Sequence, residues 1–141
     1  MNNYSRQREL ILDVVKSNPI HPTAEEIYNL VIQEEPKISR STVYRNINIL
    51  VEKGVIQKIK MSKGPDRYDY LHKEHYHAVC KVCGKVLDFY YDFEKENIIK
   101  SIRQQTSIDI DVNSITICGI CKNCKSHIKN KEELENGIKR K

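Results

Sequence analysis

An α+β fold is predicted for this chain: three amphipathic helices and a basic β-hairpin, followed by a small α/β unit. Three observations predict it. Apolar residues recur at helical spacing in three segments before Gly54 and switch to period two after it. Pro19, Pro36 and Gly54 punctuate those segments. All five cysteines fall in the second half, in C-x-x-C spacing.

Leu10, Ile11, Val14 and Val15 mark a first helix over residues 5–17 that ends before Pro19. Thr23-Ala-Glu-Glu26, just after Pro22, is a capping box, and Ile27, Leu30 and Val31 line one face of a second helix ending before Pro36. Ser39 caps a third helix that stops at Gly54. Val43, Ile47, Leu50 and Val51 make its apolar stripe, while Ser41, Arg45 and Asn48 occupy the opposite face with Tyr44 on the flank. Val55–Ile59 then reads as a strand, Lys63–Asp66 as a turn and Tyr68–Tyr70 as a return strand. Three helices followed by a basic hairpin make a winged helix-turn-helix, assigned to residues 1–71, with a hinge at 72–74 where the apolar periodicity lapses. An α/β dimerisation and metal-binding unit is assigned to residues 75–125. It comprises a strand Val86–Tyr91, a helix from Phe93 to about Gln105 capped by Asp92, and strands Ile108–Val112 and Ser114–Cys118. The charged tail, residues 126–141, is expected to be a short helix fraying into disorder.

Composition narrows the function classes. A chain of 141 residues, 39% hydrophobic and 30% charged, holds at most two small globular domains. No apolar stretch approaches the roughly 18 residues of a membrane span, and the first residues lack the apolar core of a signal peptide. The expected location is therefore cytoplasmic, with no membrane partner. The net charge is +5, and it is concentrated: between Lys37 and Arg67 eight basic residues stand against only Glu52 and Asp66. That distribution over a helix-turn-helix and wing fits double-stranded DNA. Arg45 is placed to bond a guanine edge, and Tyr44 to meet a thymine methyl or a phosphate. Ser41, Thr42 and Asn48 share the helix with them, and Lys37, Arg40, Lys58 and Lys60 suit phosphate. No H-E-x-x-H helix is present and the chain leaves little length for a substrate cleft, so neither an enzyme nor a small organic substrate is expected.

Two groups of residues carry metal chemistry. Cys80-Lys-Val-Cys83-Gly84 has the gap that lets two thiolates reach one tetrahedral Zn²⁺, and Cys118-Gly-Ile-Cys121-Lys-Asn-Cys124 offers two choices for a second pair. A closed four-cysteine site would staple the end of the second unit to its start. His75 and His77 fall on one face of an extended segment, with Tyr76 on the other, and Asp69 and Asp88 flank them in sequence. A nitrogen and oxygen set of this kind suits Fe(II), Mn(II) or Zn(II); surface histidines with unrelated carboxylates is the rival reading of the same spacing.

These residues together carry a resemblance. Tyr4-Ser-Arg-Gln-Arg8, His21-Pro-Thr-Ala-Glu-Glu-Ile-Tyr28, Ser41-Thr-Val-Tyr-Arg-Asn46, Arg67-Tyr-Asp-Tyr70, Glu74-His-Tyr-His-Ala-Val-Cys80, Cys83-Gly-Lys-Val-Leu-Asp88 and Gly119-Ile-Cys-Lys-Asn-Cys124 resemble the ferric uptake regulator (Fur) superfamily of metal-responsive repressors, and most of all its peroxide-sensing branch. The resemblance implies a homodimeric transcriptional repressor that binds operator DNA. It also implies structural zinc on Cys80, Cys83, Cys121 and Cys124, with Cys118 an extra, and a regulatory Fe(II) or Mn(II) on His21, Asp69, His75, His77 and Asp88. Asp69 carries the branch assignment, because iron-sensing relatives typically have glutamate there. In the peroxide-sensing branch a ligand histidine takes up oxygen, here His21 or His75. An iron-uptake regulator of the same family and a constitutive DNA-binding module stapled by zinc are the alternatives. The family's additional N-terminal helix is expected to be absent, as is a further metal site whose histidine is replaced by Asn113.

Overall fold

The computed structural model describes residues 3–71, 74–92, 94–110 and 115–139. Three helices come first: α1 (Asn3–Ser17), α2 (Ala24–Glu34) and α3 (Arg40–Glu52). The capping box at the start of α2 is formed, with Thr23 Oγ1 accepting from the Glu26 amide at 3.2 Å and Glu26 Oε2 accepting from the Thr23 amide at 3.1 Å. Ser39 caps α3 by accepting from the Thr42 amide at 3.1 Å. Gly54, at φ +71°, takes the left-handed turn after α3 that a side chain would resist. Ile11, Val14 and Val15 of α1, Ile27 and Val31 of α2, and Val43, Ile47 and Leu50 of α3 bury against one another with Ile56 and Tyr68. This is the main core, and it is built from the apolar stripes of the sequence.

Strands β1 (Ile56–Ile59) and β2 (Arg67–Tyr70) pair antiparallel as the wing, with Gln57 opposite Asp69 and Ile59 opposite Arg67. The loop carrying His21 is laid on β2: the Tyr68 amide donates to the Pro22 carbonyl at 2.9 Å, and Thr23 bridges to Arg67. Strands β3 (Tyr76–Cys80), β4 (Val86–Phe89) and β5 (Thr116–Gly119) form a second sheet in the order β4-β3-β5. Strand β4 runs antiparallel to β3 and β5 parallel to it, and the register puts His77 directly opposite Asp88. Helix α4 (Lys95–Thr106) buries no residue, and α5 (Lys122–Lys139) completes the chain.

The second half departs from expectation in five places, the first being that its last strand runs Thr116–Gly119 where Ser114–Cys118 was expected, with Ser114 outside the described residues. Strand β4 stops at Phe89, not Tyr91. Helix α4 starts two residues later than Phe93, with Glu94 rather than Asp92 at its N-cap: the Glu94 carbonyl takes the first helical bonds, from Asn97 and Ile98, and Lys95 is paired with Glu74. Phe93 itself lies outside the described residues, as do His72 and Lys73 of the expected hinge and Asn113. The strand expected at Ile108–Val112 is not formed over residues 108–110, and residues 111–114 lie outside those described. A strand exists only through a partner's ladder, and residues 108–110 pair with no described strand, while β5 pairs with β3. The tail, expected as a short fraying helix, is one helix that starts at Lys122 inside the second cysteine pair and runs to Lys139. Its Lys and Glu residues have high helix propensity, and with so few apolar positions the tail gives periodicity little to register.

Stability should follow the core. Ile27→Ala removes a fully buried side chain and is expected to destabilise by about 2–5 kcal/mol. Ile20→Ala, 64% exposed, should stay within about 0.5 kcal/mol. Urea unfolding followed by circular dichroism measures both.

Candidate metal centres and nucleic-acid interface

Five histidine and aspartate side chains converge from both halves. Asp69 comes from β2 and His21 from the loop laid on it; His75 precedes β3, His77 lies in it and Asp88 faces it from β4. His21 Nε2 is 2.8 Å from Asp88 Oδ1 and 3.6 Å from Asp69 Oδ2. Asp69 Oδ2 also receives His75 Nε2 at 2.7 Å and His77 Nε2 at 3.0 Å. Asp88 Oδ1 is 3.3 Å from His77 Nε2 and 3.8 Å from His75 Nε2. The donor atoms of His21, Asp69, His77 and Asp88 all lie within 4.8 Å of one another, with His75 at the margin of that group. Neighbouring donors around a six-coordinate ion with bonds of about 2.1 Å sit about 3 Å apart, so the spacing fits a divalent cation.

The electrostatics of the cluster point the same way. Burial works against charge on Asp69, yet the neighbouring His21 imidazole and the hydrogen bonds from His77 and His75 hold its carboxyl far below the usual carboxylate range. Asp69 foremost, with Asp88 adding to it and burial opposing, raises His21 above its ordinary value. His77 is fully buried and aims Nε2 at both carboxylates, while its Nδ1 has no hydrogen-bond partner among the described residues.

His21 sits at φ +56°, a backbone conformation that costs a histidine energy. Arg67 holds it there, donating from Nη1 to the His21 carbonyl at 3.0 Å. Sequence reading counted Arg67 only as one of the basic residues. The available signal was its spacing: Arg67 and Asp69 stand two apart on β2 and share a face, so one strand grips both the backbone and the ring of His21.

A second cluster gathers Cys80, Cys83, Cys121 and Cys124, their sulfurs within 4.8 Å of one another. A tetrahedron with bonds of about 2.3 Å has edges of about 3.8 Å, and Cys83 Sγ lies 3.8 Å from Cys121 Sγ. Gly84, at φ +77°, turns the chain just after the first pair. Backbone N–H groups of Cys83 and Cys121 pull the Cys80 thiol down to about 6. The sulfur of Cys121 and burial push Cys124 up to about 12. Cys121 is likewise lowered, by the Cys124 amide, so thiolate is favoured at Cys80 and Cys121 and opposed at Cys124 by the neighbouring sulfur, a repulsion that a bound divalent cation would remove. Cys118 is exposed on β5, opposite Val79, and is not part of the cluster.

On α3, Ser41, Arg45 and Asn48 are exposed on one face, and Thr42 and Tyr44 are half-buried. The hydroxyls of Ser41 and Thr42 are both engaged by Ser39, at 3.1 and 2.7 Å. Arg45 is exposed and has no hydrogen-bond partner among the described residues. Lys58 is half-buried on β1 and Lys60 exposed at its end. Arg40 and Tyr44 are not free: Glu25 of α2 accepts from both. Nothing in the local sequence pattern marks that contact. Among the described residues no helix is long and apolar enough to cross a membrane.

The comparisons with known proteins agree with this arrangement. The sequence model described as "Ferric uptake regulator family" matches residues 2–118. The chain is 32% identical to the peroxide-responsive repressor PerR of Staphylococcus epidermidis over 119 residues, which is 84% of this chain and 79% of that protein. Its structure is similar to the peroxide stress regulator of Campylobacter jejuni, with a TM-score of 0.67 and 29% identity over 86% of this chain and 90% of the other. It is similar also to the Helicobacter pylori ferric uptake regulator Fur, a structure described as revealing three functional metal binding sites, with a TM-score of 0.66 and 30% identity over 89% and 82% of the two chains.

The cysteine geometry separates the five thiols. Cys121→Ser should lose zinc and the cooperative unfolding of the second half, whereas Cys118→Ser should keep both. Elemental analysis with thermal unfolding decides, and zinc retained in Cys121→Ser but lost in Cys118→Ser would reverse the ligand assignment.

Proposed function

The chain belongs to the ferric uptake regulator family, whose members are metal-dependent transcriptional regulators and not enzymes, and on that footing we propose that it is a peroxide-sensing repressor. The observation that carries the reading is the set of three imidazoles and two carboxylates, free of thiolate, that bridges the two halves. Asp69 at the branch-distinguishing position and the similarity to a peroxide-responsive repressor support it.

His21 and Asp69 hold the metal from the winged-helix side, residues 1–71; His75, His77 and Asp88 hold it from the α/β side, residues 75–125. All five donors meet one ion only when the two units close about the hinge at 72–74. Metal binding therefore favours the closed arrangement by the difference in affinity between closed and open states, and the closed arrangement places two copies of α3 on two half-sites. Cys80, Cys83, Cys121 and Cys124 hold structural zinc and keep the sheet and α5 together. The exposed Leu87, Ile117 and Ile120, together with the unpacked α4, supply an apolar face that a second copy of the chain covers in a homodimer.

Fe(II) held there would activate hydrogen peroxide, which Mn(II) would not. One peroxide oxygen would pass to a ligand imidazole, His21 or His75 by the resemblance to the peroxide-sensing branch, and the other would leave as water. An oxidised imidazole is a poor ligand, so the two units would separate and DNA would be released. On α3, Arg45 reads a base edge with Tyr44 beside it, Ser41, Thr42 and Asn48 line the same helix, and Lys58 and Lys60 of the wing hold phosphate.

Two measurements check the reading, both with a duplex enriched from a randomised pool by the Mn(II)-loaded protein. Arg45→Ala should weaken that duplex by roughly 1–3 kcal/mol and relax sequence choice, while Lys58→Ala should weaken all sequences alike and flatten the salt dependence by about one unit. Peroxide should release the Fe(II)-loaded protein from DNA with one oxygen added at His21 or His75, as read by peptide mass spectrometry, and leave the Mn(II)-loaded protein bound. Release with both histidines intact and oxidation confined to cysteines would identify a thiol switch instead.

A further inference from the structure

Glu25 stands in the first turn of α2 and reaches across to α3, the two helices of the helix-turn-helix. One carboxylate oxygen accepts from Arg40 Nη2 at 2.7 Å and the other from the Tyr44 hydroxyl at 2.9 Å. The Arg40 guanidinium in turn lies 4.7 Å over the ring of Tyr28. An acid is thus fixed among cations on the surface assigned to DNA, and it ties up a tyrosine and an arginine of the reading helix. Stability does not explain it, because Arg40 is 56% and Glu25 49% exposed and such pairs contribute little.

We propose that Glu25 is a specificity-determining residue for DNA, a carboxylate that orients Tyr44 and withholds Arg40 from the phosphate backbone. Two effects of opposite reach make it so. Neutralising Arg40 and adding a negative charge beside the backbone weakens binding to every sequence, because phosphate contacts carry no sequence information. Fixing the Tyr44 ring lowers the ordering cost of binding only where that ring meets its matching base. A penalty common to all DNA combined with a gain confined to one site widens the gap between right and wrong sequences. The hydrogen bond to Glu25 also raises the Tyr44 phenol above its ordinary value, which gives the contact a signature in the absence of DNA. The inference rests on α3 being the DNA-reading helix, as proposed above.

The test compares Glu25→Gln with Glu34→Gln, which removes the same charge from the exposed far end of α2. The full-length, zinc- and Mn(II)-loaded protein is titrated with the enriched duplex and with a scrambled duplex of equal length over a range of salt. Glu25→Gln should bind the scrambled duplex roughly 3–10-fold tighter and steepen its salt slope by about 0.9, the value of one added phosphate contact. It should also lower the ratio of enriched to scrambled affinity at least about threefold, while Glu34→Gln changes neither slope nor ratio. Without DNA, the Tyr44 phenol, followed by NMR of ring-labelled tyrosine, should titrate at lower pH in Glu25→Gln only. A ratio that stays at the wild-type value while the Tyr44 titration moves would overturn the proposal, as would a Tyr44 titration indifferent to the substitution. Failure of the wild-type protein to enrich any duplex, or to distinguish it from the scrambled one, would instead overturn the DNA-reading assignment of α3 and the proposal with it.

Discussion

One carboxylate oxygen, Asp69 Oδ2, organises the centre of this molecule. Three imidazoles face it, at 2.7, 3.0 and 3.6 Å, one from the loop before α2 and two from the segment that becomes β3. Asp69 sits in the wing hairpin, so the same strand that closes the helical half carries the group on which the other half converges. A buried charge is tolerated only when it is paired. Here the pairing partners are distributed over both halves, so separating the halves strips Asp69 of partners as well as dismantling a metal site. The ring of His21, the strained backbone beneath it and Arg67 belong to the same constraint.

The two halves are unequal in what holds them. The helical half has a continuous core of aliphatic side chains drawn from three helices and the wing. The second half buries Tyr76, Val79 and Cys80 but no residue of α4, and it leaves Leu87, Ile117 and Ile120 largely exposed. A unit with so little core needs covalent or coordinate staples, or a partner surface. The four-cysteine cluster is placed to provide the first by joining the end of β3 and the turn after it to the start of α5, with Cys80 lying 41 residues from Cys121 and Cys83 lying 38 from it. The apolar face left uncovered is the natural place for the second.

The helix-turn-helix adds a different principle. Its second helix, α3, is not simply a row of free cations: Ser39 engages Ser41 and Thr42, and Glu25 engages Arg40 and Tyr44. Arg45 stands outside this network. Side chains held in one rotamer before binding lose less freedom on binding, so a restrained surface can distinguish sequences better than a mobile one of greater charge.

The sequence by itself determined the helical half and the wing, while the residues of the two clusters were singled out only with the help of the family resemblance. Helical stripes, a capping box and a glycine stop are local signals, and local signals suffice where each element buries its own stripe against neighbours close in sequence. The cysteine spacing left two choices for the second pair, which the family resemblance narrowed. Only the tertiary structure placed Cys118 on a strand facing away from the cluster. It also showed that the segment at 108–110 joins neither sheet and forms no strand. The contacts of Arg67 and Glu25 were likewise decided by folding. Arg67 meets a carbonyl 46 residues away and Glu25 meets side chains 15 and 19 residues away, separations at which no period of helix or strand links one residue to another.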